Sequence, residues 1–341
     1  MAELPGVDLA RLTIWLDDER PGLRLGELAG EVVAGGKSNL TYRITDGSST
    51  WALRRPPLAH VLPTAHDMVR EFTVINALTP AEVPVPVPSA VALCQDADVL
   101  GAPFYLMDFV DGVVLDKPDL LATLAPADAD RACELLVDTL IALHEVDPAA
   151  VGLQEFGRPD GFLARQVRRW SAQWQASETR PLDVLPAVVR RLEATLPVQS
   201  APGIVHGDYR LTNVMFTPDI TRIPAVLDWE MATLGDPLTD VGLLVVYTDI
   251  AGNGTLTGPA MAPAQGFWTG AQAVEHYAKN SSRSTEHLDW HVGFGYFKLA
   301  VIAEGIHHRY LAGKTVGEGF AHFGDAVPSL LHSALDSLPG S

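Results

Sequence analysis

The most informative segment reads His206-Gly-Asp208-Tyr-Arg210-Leu-Thr-Asn213-Val-Met-Phe216, and Leu227-Asp228-Trp-Glu230 follows after a short gap. Apolar, strand-like sequence flanks the polar residues of both parts. A short β-hairpin would bring Asp208, Asn213 and Asp228 to one end of two adjacent strands, so we expect these side chains to converge. Carboxylate and amide oxygens gathered in this way suit Mg²⁺, which takes one or two carboxylates together with substrate phosphates.

The order H-x-D-x-x-x-x-N followed by a further D is the catalytic arrangement of kinases. In this chain it reads HGD rather than HRD, and LDWE rather than DFG. The wording HGDYRLTNVMF…LDWE…GDPLTDVG resembles the aminoglycoside phosphotransferase family, a kinase-like family that acts on small molecules. Within that family it is similar to members related to the kinase domain fused to some acyl-CoA dehydrogenases. The likeness runs roughly from Val33 to Lys314.

This resemblance implies an α+β, bilobal, protein-kinase-like fold. Residues 1–110 would form a small nucleotide-binding N-lobe, with a five-stranded antiparallel sheet and one helix. Residues 111–341 would form a larger, mainly helical C-lobe that binds the substrate and carries the catalytic loop.

Composition narrows the possible partners. The 341 residues are 47% hydrophobic and 19% charged, which is enough for a large core and for two lobes. The formal net charge of −18 argues against a nucleic-acid partner. No run has the length of a membrane span, the acidic N-terminus lacks an apolar leader, and Cys94 and Cys133 show no pairing or metal-ligand spacing. We therefore expect a cytoplasmic protein, of an oligomeric state that the sequence does not indicate.

Five strands are predicted for the N-lobe, over residues 28–34, 40–45, 50–54, 89–94 and 103–109. The segment Gly35-Gly36-Lys37-Ser38-Asn39 joins the first two strands. By resemblance it would be the loop that covers the nucleotide phosphates, with Ser38 as a contact; a plain β-turn is the alternative. The segment that leaves the last strand, Asp108-Phe-Val110-Asp-Gly112, would be the hinge whose backbone pairs with the purine.

A helix is predicted over residues 65–78, with Glu71 beside its apolar face. In kinase-like folds a lysine on the third strand holds the phosphates and is steered by a glutamate on this helix. Arg54 stands where that lysine would be, so Arg54 and Glu71 are the candidate pair. Arginine remains charged and can form two parallel hydrogen bonds with phosphate oxygens, so Arg54 could hold the nucleotide phosphates as the lysine does. Arg55 is the alternative phosphate ligand, and an ordinary surface salt bridge is the alternative reading of the pair.

Helical patterns dominate after Gly112, and they cover residues 128–144, 161–174 and 290–311. His144 is interpreted as a hydrogen-bonded core histidine rather than a metal ligand. The helix over 161–174 places Arg165, Arg168 and Arg169 near one another, and this cluster either faces an anionic substrate or is a solvated surface.

The resemblance implies a role for each polar residue of the catalytic segment. Asp208 would accept or orient the proton of the substrate hydroxyl, and Arg210 would stabilise the charge on the transferring group. Asn213 and Asp228 would hold Mg²⁺ on the nucleotide phosphates. Asp240 resembles the acid that hydrogen-bonds the catalytic-loop backbone.

The predicted reaction is transfer of the γ-phosphate of ATP or GTP to a hydroxyl of a small molecule. Asp228 lies only twelve residues before Asp240, which leaves little room for a peptide-docking segment. An aminoglycoside-like acceptor would suit an acidic C-lobe, whereas a hydroxyacyl-CoA-like acceptor would suit the arginine cluster and is slightly favoured. The alternative is a non-catalytic nucleotide-binding module, because Arg54 replaces the usual lysine. A hydrolase is disfavoured, since no nucleophile motif is present.

Overall fold

The computed structural model describes residues 4–35, 39–58, 67–80, 82–250, 265–314 and 320–340. The chain divides into two compact units. The first unit comprises Met1–Gly112 and Pro224–Ala232, and the second comprises Val113–Ile223 and Thr233–Ser341. Among the described residues, no helix combines the length and the apolar character that crossing a membrane requires.

The described residues form nine strands. They are β1 (Ala29–Gly35), β2 (Leu40–Thr45), β3 (Thr50–Arg55), β4 (Ala90–Cys94), β5 (Phe104–Asp108), β6 (Gly203–Val205), β7 (Val214–Met215), β8 (Ala225–Val226) and β9 (Thr233–Gly235).

The same residues form eleven α-helices. They are α1 (Leu9–Glu19), α2 (Met68–Leu78), α3 (Ala97–Leu100), α4 (Pro118–Thr123), α5 (Pro126–Glu145), α6 (Phe162–Ser177), α7 (Leu185–Ala194), α8 (Leu238–Ile250), α9 (Gly270–Asn280), α10 (Leu288–Leu311) and α11 (Phe323–Ser337). The predicted helices over 65–78, 128–144, 161–174 and 290–311 correspond to α2, α5, α6 and α10.

The first unit is built on an antiparallel sheet with the strand order β1-β2-β3-β5-β4. This confirms the predicted five-stranded sheet and the α+β class. Strand β2 alternates between buried and half-buried side chains, whereas β3 and β5 are buried at consecutive positions. The buried side chains pack with α1 into a core that includes Leu12, Leu16, Ile44, Trp51, Leu53, Phe104 and Leu106. The helices α1 and α3 belong to this unit in addition to α2.

Helix α2 begins where Asp67 caps it, because the Asp67 side chain accepts a hydrogen bond from the Arg70 amide at 3.0 Å. Its buried face carries Met68, Glu71, Val74, Ile75 and Leu78. A carboxylate on a buried helix face requires partners, since an unpaired buried charge is costly.

The second unit packs α8 against α10. Gly242 permits this close approach, because a Cβ atom at that position would lie 2.6 Å from the backbone of His291. Both helices consist largely of buried residues.

Strands β6 and β9 pair antiparallel, with Val205 opposite Thr233, and β6 leads directly into the segment His206–Asn213. The β6–β9 pair therefore fixes the point at which the predicted catalytic segment begins.

Candidate active site

In the first unit, Arg54 lies between two carboxylates. Its Nε atom is 3.2 Å from Oε2 of Glu71, and its Nη2 atom is 3.3 Å from Oδ1 of Asp228. Arg54 is on β3, Glu71 on α2, and Asp228 follows β8 after one residue. The predicted Arg54–Glu71 pair is thus present, and Asp228 joins it.

Glu71 is fully buried and has further donors. The Asn39 amide donates to Oε1 at 2.6 Å, and the Tyr105 hydroxyl donates to Oε2 at 2.9 Å. Burial raises the pKa of Glu71, although Arg54 opposes the rise. Burial alone would lower the pKa of Arg54, but the acid groups around it, Glu71 and Asp228 among them, outweigh that effect and raise it. Arg54 is therefore a permanent cation held in a fixed position.

Asp228 has a left-handed backbone, with φ of 66° and ψ of 61°. Few non-glycine residues adopt this conformation, although Asp and Asn tolerate it best. The surrounding contacts fix it: the Val226 amide donates to the Pro86 carbonyl at 2.8 Å, and the Trp229 indole donates to the Val226 carbonyl at 3.1 Å. A turn held in this way aims the Asp228 carboxylate at Arg54.

The remaining candidate nucleotide-binding residues of the first unit are Arg55, Asp108, Val110 and Ser38. Arg55 is turned away from Arg54, since its guanidinium donates to the backbone carbonyls of Gly6 and Leu100, and this favours Arg54 as the phosphate ligand. The amide of Asp108 already donates to the Ser89 carbonyl at 2.9 Å. A purine at the predicted hinge would therefore have to use the Asp108 carbonyl and the backbone of Val110. Ser38 lies outside the described residues.

In the second unit, donors surround the carboxylate of Asp208. The Tyr247 hydroxyl donates to Oδ1 at 2.6 Å, and the Asn213 amide donates to Oδ2 at 2.9 Å and to the Asp208 carbonyl at 2.8 Å. The Asp208 side chain is 22% exposed. It is therefore oriented by the protein and still reachable from solvent.

Arg210 lies beside the same carboxylate, with its Nε atom 3.6 Å from Oδ2 of Asp208. Its guanidinium also lies over the ring of Tyr247, 4.9 Å from the ring centroid. Burial raises the pKa of Tyr247 well above its ordinary value, with the charge of Asp208 adding to the effect. Tyr247 therefore stays a protonated donor. The structure brings Asp208, Arg210 and Asn213 together and adds Tyr247, which the sequence did not single out.

Asp240 holds the backbone of the catalytic segment. Its carboxylate accepts hydrogen bonds from the amides of His206 at 2.7 Å and Gly207 at 2.8 Å. His144 lies 3.4 Å from Asp240 and 2.8 Å from the Tyr277 hydroxyl, so it is a hydrogen-bonded core histidine. Burial alone would raise the pKa of Asp240, but the hydrogen bond and electrostatic interaction with His144, together with the interactions with His206 and the Gly207 amide, lower it.

Lys298 on α10 supports the segment from another side. Its Nζ atom donates to the Gly207 carbonyl at 2.5 Å and lies 5.4 Å from the ring centroid of Trp170. Burial lowers the pKa of Lys298, against the charges of Asp208 and Asp240. Sequence reasoning missed this residue. A usable signal existed, because Lys298 is a lone cation within the apolar run Gly295–Ile302.

Each unit, taken by itself, has a side-chain oxygen that could bind a magnesium ion carried by phosphates: Asp228 in the first unit and Asn213 in the second. No group of three or more His, Cys, Asp or Glu side chains that could hold a metal occurs in the part of the chain that the structure describes. Mg²⁺ on a nucleotide needs fewer protein ligands than that. The Asn213 amide nitrogen is used by Asp208, which leaves its Oδ1 for a cation, and Asp228 shares only Oδ1 with Arg54.

The chain matches the model of the phosphotransferase enzyme family over residues 29–278. Its curated relatives include mouse acyl-CoA dehydrogenase family member 10, 32% identical over 88% of this chain, and human acyl-CoA dehydrogenase family member 11, 30% identical over 88%. The match covers only 28% of the mouse protein and 39% of the human protein. The chain therefore spans well under half the length of these relatives.

Solved structures show the same fold. A Ralstonia eutropha protein, provisionally named as an aminoglycoside phosphotransferase, is 31% identical with a TM-score of 0.83 and coverage of 97% of this chain and 98% of that one. Aminoglycoside phosphotransferase APH(4)-Ia, solved with ADP and hygromycin B, is 13% identical with a TM-score of 0.62 over 92% and 95% of the two chains. These matches confirm the kinase-like α+β fold.

Proposed function

This chain belongs to the phosphotransferase enzyme family, and we propose that it transfers the γ-phosphate of ATP or GTP to a hydroxyl of a small molecule. The observation that carries this proposal is the carboxylate of Asp208. Tyr247 and Asn213 orient it, Arg210 lies beside it, and it keeps a solvent-accessible edge. A carboxylate in this setting suits the acceptance of a hydroxyl proton.

The reaction asks mainly for positioning and charge neutralisation. Asp208 would orient the acceptor hydroxyl and take its proton as the oxygen bonds to the γ-phosphorus, while the bond from that phosphorus to the β–γ bridging oxygen breaks and ADP or GDP leaves with the electron pair. Arg210 would stabilise the charge on the transferring group, and Arg54, steered by Glu71, would hold the nucleotide phosphates. Asn213 and Asp228 would hold Mg²⁺, which when bound supplies positive charge to the phosphate oxygens.

We assign nucleotide binding to residues 1–110 and the acceptor and the catalytic loop to residues 111–341. The Asp108 carbonyl and the Val110 backbone would meet the purine, and Ser38 would meet the phosphates. The short segment between Asp228 and Asp240 supports a small acceptor rather than a peptide. Relatives named as acyl-CoA dehydrogenases favour a hydroxyacyl-CoA-like acceptor, and the structural neighbours favour an aminoglycoside-like one.

The test is a thermal-shift series with ATP and GTP, with and without Mg²⁺, followed by turnover assays on hydroxyacyl-CoAs and aminoglycosides. A ligand that binds only the folded chain raises its Tm. We expect a larger rise with Mg²⁺ and nucleotide together than with either alone. Indifference of the Tm to that combination would overturn the proposal.

A non-catalytic nucleotide-binding module is the second candidate. The observation that favours it is the ion pair between Arg54 and Asp228, because this contact occupies an oxygen that a metal would use. Phosphoryl transfer to any acceptor, or slow nucleotide hydrolysis that disappears in Asp208→Asn, would exclude it.

A further inference from the structure

Four arginines of the second unit line a single pocket. It has a volume of about 470 Å³, and its walls include Arg158, Phe162, Arg165, Arg168, Arg169 and Thr233. Pockets of this size typically hold a small molecule or part of one.

Within the described part of the chain, no ion pair neutralises the four guanidinium groups. Among the described residues, none of them forms an ion pair with a carboxylate within 4.0 Å. Arg165 donates instead to the backbone carbonyls of Arg158 and Asp160, and Arg169 lies 5.9 Å from the ring centroid of Trp170. Like charges three and four residues apart on a helix repel one another. In a chain of net charge −18, this uncompensated cationic pocket is suited to an anion.

Close packing fixes the pocket walls. A Cβ atom at Gly157 would lie 2.7 Å from Thr233, so the glycine lets the loop that carries Arg158 lie against β9. A Cβ atom at Gly235 would lie 2.7 Å from the ring of Phe162, so the first turn of α6 packs directly on the same strand. The loop and the helix that carry the arginines therefore both pack against β9, which fixes the position of their backbone.

The pocket lies near Asp208. Thr233 in its wall pairs with Val205, which precedes Asp208 by three residues. Three extended residues and one inter-strand spacing together span at most about 15 Å. Lys298 links the two places as well, because it binds the Gly207 carbonyl and lies over Trp170, the neighbour of Arg169.

We infer that this pocket binds a phosphate-bearing group of the acceptor while the acceptor hydroxyl lies at Asp208. The assignment to the acceptor rests on the proposed function; the anion site itself does not. Guanidinium forks match phosphate oxygens in pairs of hydrogen bonds. Backbone carbonyls hold the guanidinium of Arg165, which therefore contributes mainly charge, while Arg158, Arg168 and Arg169 suit a group with more than one negative charge. A cationic acceptor such as an aminoglycoside would be repelled from this pocket.

The first experiment measures inorganic pyrophosphate binding by calorimetry at constant ionic strength, without nucleotide or Mg²⁺. The double variant Arg168→Glu/Arg169→Glu should bind pyrophosphate about 10-fold more weakly or worse, because it loses two charge-assisted contacts. Both side chains are exposed, so the fold should be kept. The matched control, Arg131→Glu/Arg190→Glu, makes the same charge change at exposed positions outside the pocket and should bind like the unmodified chain.

Arg54→Gln separates this site from the nucleotide phosphate site. Loss of pyrophosphate binding in Arg54→Gln but not in Arg168→Glu/Arg169→Glu would overturn the inference, and so would equal affinity in both double variants. For the acceptor, we expect the KM of a phosphate-bearing acceptor to rise about 10-fold in Arg168→Glu/Arg169→Glu, while the KM of the nucleotide stays unchanged. An unchanged KM for the phosphate-bearing acceptor in this variant would overturn the acceptor assignment. Pyrophosphate binding without any phosphoryl transfer would refute the proposed function and leave the anion site standing.

Discussion

Two groups of residues each hold a charged side chain in a fixed direction, and they do so differently. In the first unit the group is Arg54 with Glu71 and Asp228, and in the second unit it is Asp208 with Tyr247 and Asn213. In the first unit the charged residues are also part of the interior, since the side chains of Arg54 and Glu71 are 13% and 0% exposed. In the second unit Asp208 is more exposed, and a separate buried layer of Asp240, His144 and Lys298 holds its backbone.

This difference has a practical consequence for mutagenesis. Where one set of residues serves both the site and the interior, a substitution should change stability and ligand binding together. Where the two sets are separate, chemistry and stability should respond to different substitutions. The four predictions that follow test this separation.

Asp208→Asn should abolish activity and leave the fold intact. Removal of a general base typically lowers kcat by about 10²-fold or more. The Tm and the affinity for nucleotide with Mg²⁺ should stay unchanged, because the amide keeps the shape of the side chain and Asp240 still holds the loop. The measurement is kcat on an identified acceptor beside a thermal melt. A fall in Tm as large as that produced by Arg54→Gln would contradict the proposed separation.

Arg54→Gln should reduce stability and nucleotide binding together. Removing one partner of a buried ion pair typically costs about 3 kcal/mol or more of unfolding free energy, and here it leaves Glu71 buried without its cation. Burial already raises the pKa of Glu71, so a protonated Glu71 is tolerated at low pH, and the stability deficit should be larger at pH 8 than at pH 5. Urea unfolding at both pH values measures this. The control Arg54→Gln/Glu71→Gln should regain part of the loss and show little pH dependence.

Asp236→Asn should lower stability and leave the chemistry of the second unit unchanged. Asp236 accepts hydrogen bonds from the Ser200 hydroxyl at 2.6 Å and the Ser200 amide at 3.0 Å, and lies 3.4 Å from His291. Burial alone would raise its pKa, but His291 and Ser200 outweigh burial and lower the pKa to about 2.

Because that pKa is depressed in the folded state, Asp236 contributes stability at neutral pH that is lost as the pH falls towards 2. We expect a deficit of about 2 kcal/mol at pH 7 that shrinks as the pH falls below about 4. Urea unfolding across this range provides the measurement, with the exposed Asp183→Asn as control. A deficit that did not change with pH would refute the electrostatic explanation.

Tyr247→Phe should produce the smallest effect, a fall in kcat of about 10-fold, from the loss of one hydrogen bond to a carboxylate. The nucleotide KM should not change, because Tyr247 acts through the position of Asp208. The pKa of Tyr247 is raised well above its ordinary value, so the kcat ratio between variant and unmodified chain should stay constant from pH 6 to pH 9. The control is Tyr296→Phe on α10, whose hydroxyl donates to Asp249 at 3.2 Å. Equal effects of both substitutions would remove the special role of Tyr247.

Much of the fold and part of the site could be predicted from local sequence. The strands of the first unit follow short runs rich in apolar residues, and the helices α2, α5, α6 and α10 follow apolar residues at helical spacing. Asp208, Arg210 and Asn213 lie within six residues of one another, so their proximity is a local property.

The residues that the sequence did not reveal are distant in the chain. Tyr247 reaches Asp208 across 39 positions and Lys298 reaches Gly207 across 91. Within its helix Tyr247 resembles one more member of a buried apolar run, and Lys298 stands out as a lone cation, but the sequence does not indicate the atom that either side chain contacts. Only tertiary packing decides which polar atom of such a helix meets the loop. The choice between Arg54 and Arg55 is of the same kind, since neighbouring strand residues face opposite sides of a sheet.

The backbone of Asp228 affects how an inert form of this protein should be made for crystallisation with substrates. A residue with φ of 66° is strained unless its side chain tolerates that conformation, so Asp228→Ala would change the turn as well as remove the charge. Asparagine tolerates the left-handed region. Asp228→Asn is therefore the substitution that should allow a complex with nucleotide and acceptor to be trapped while the backbone of the turn at residue 228 keeps its conformation.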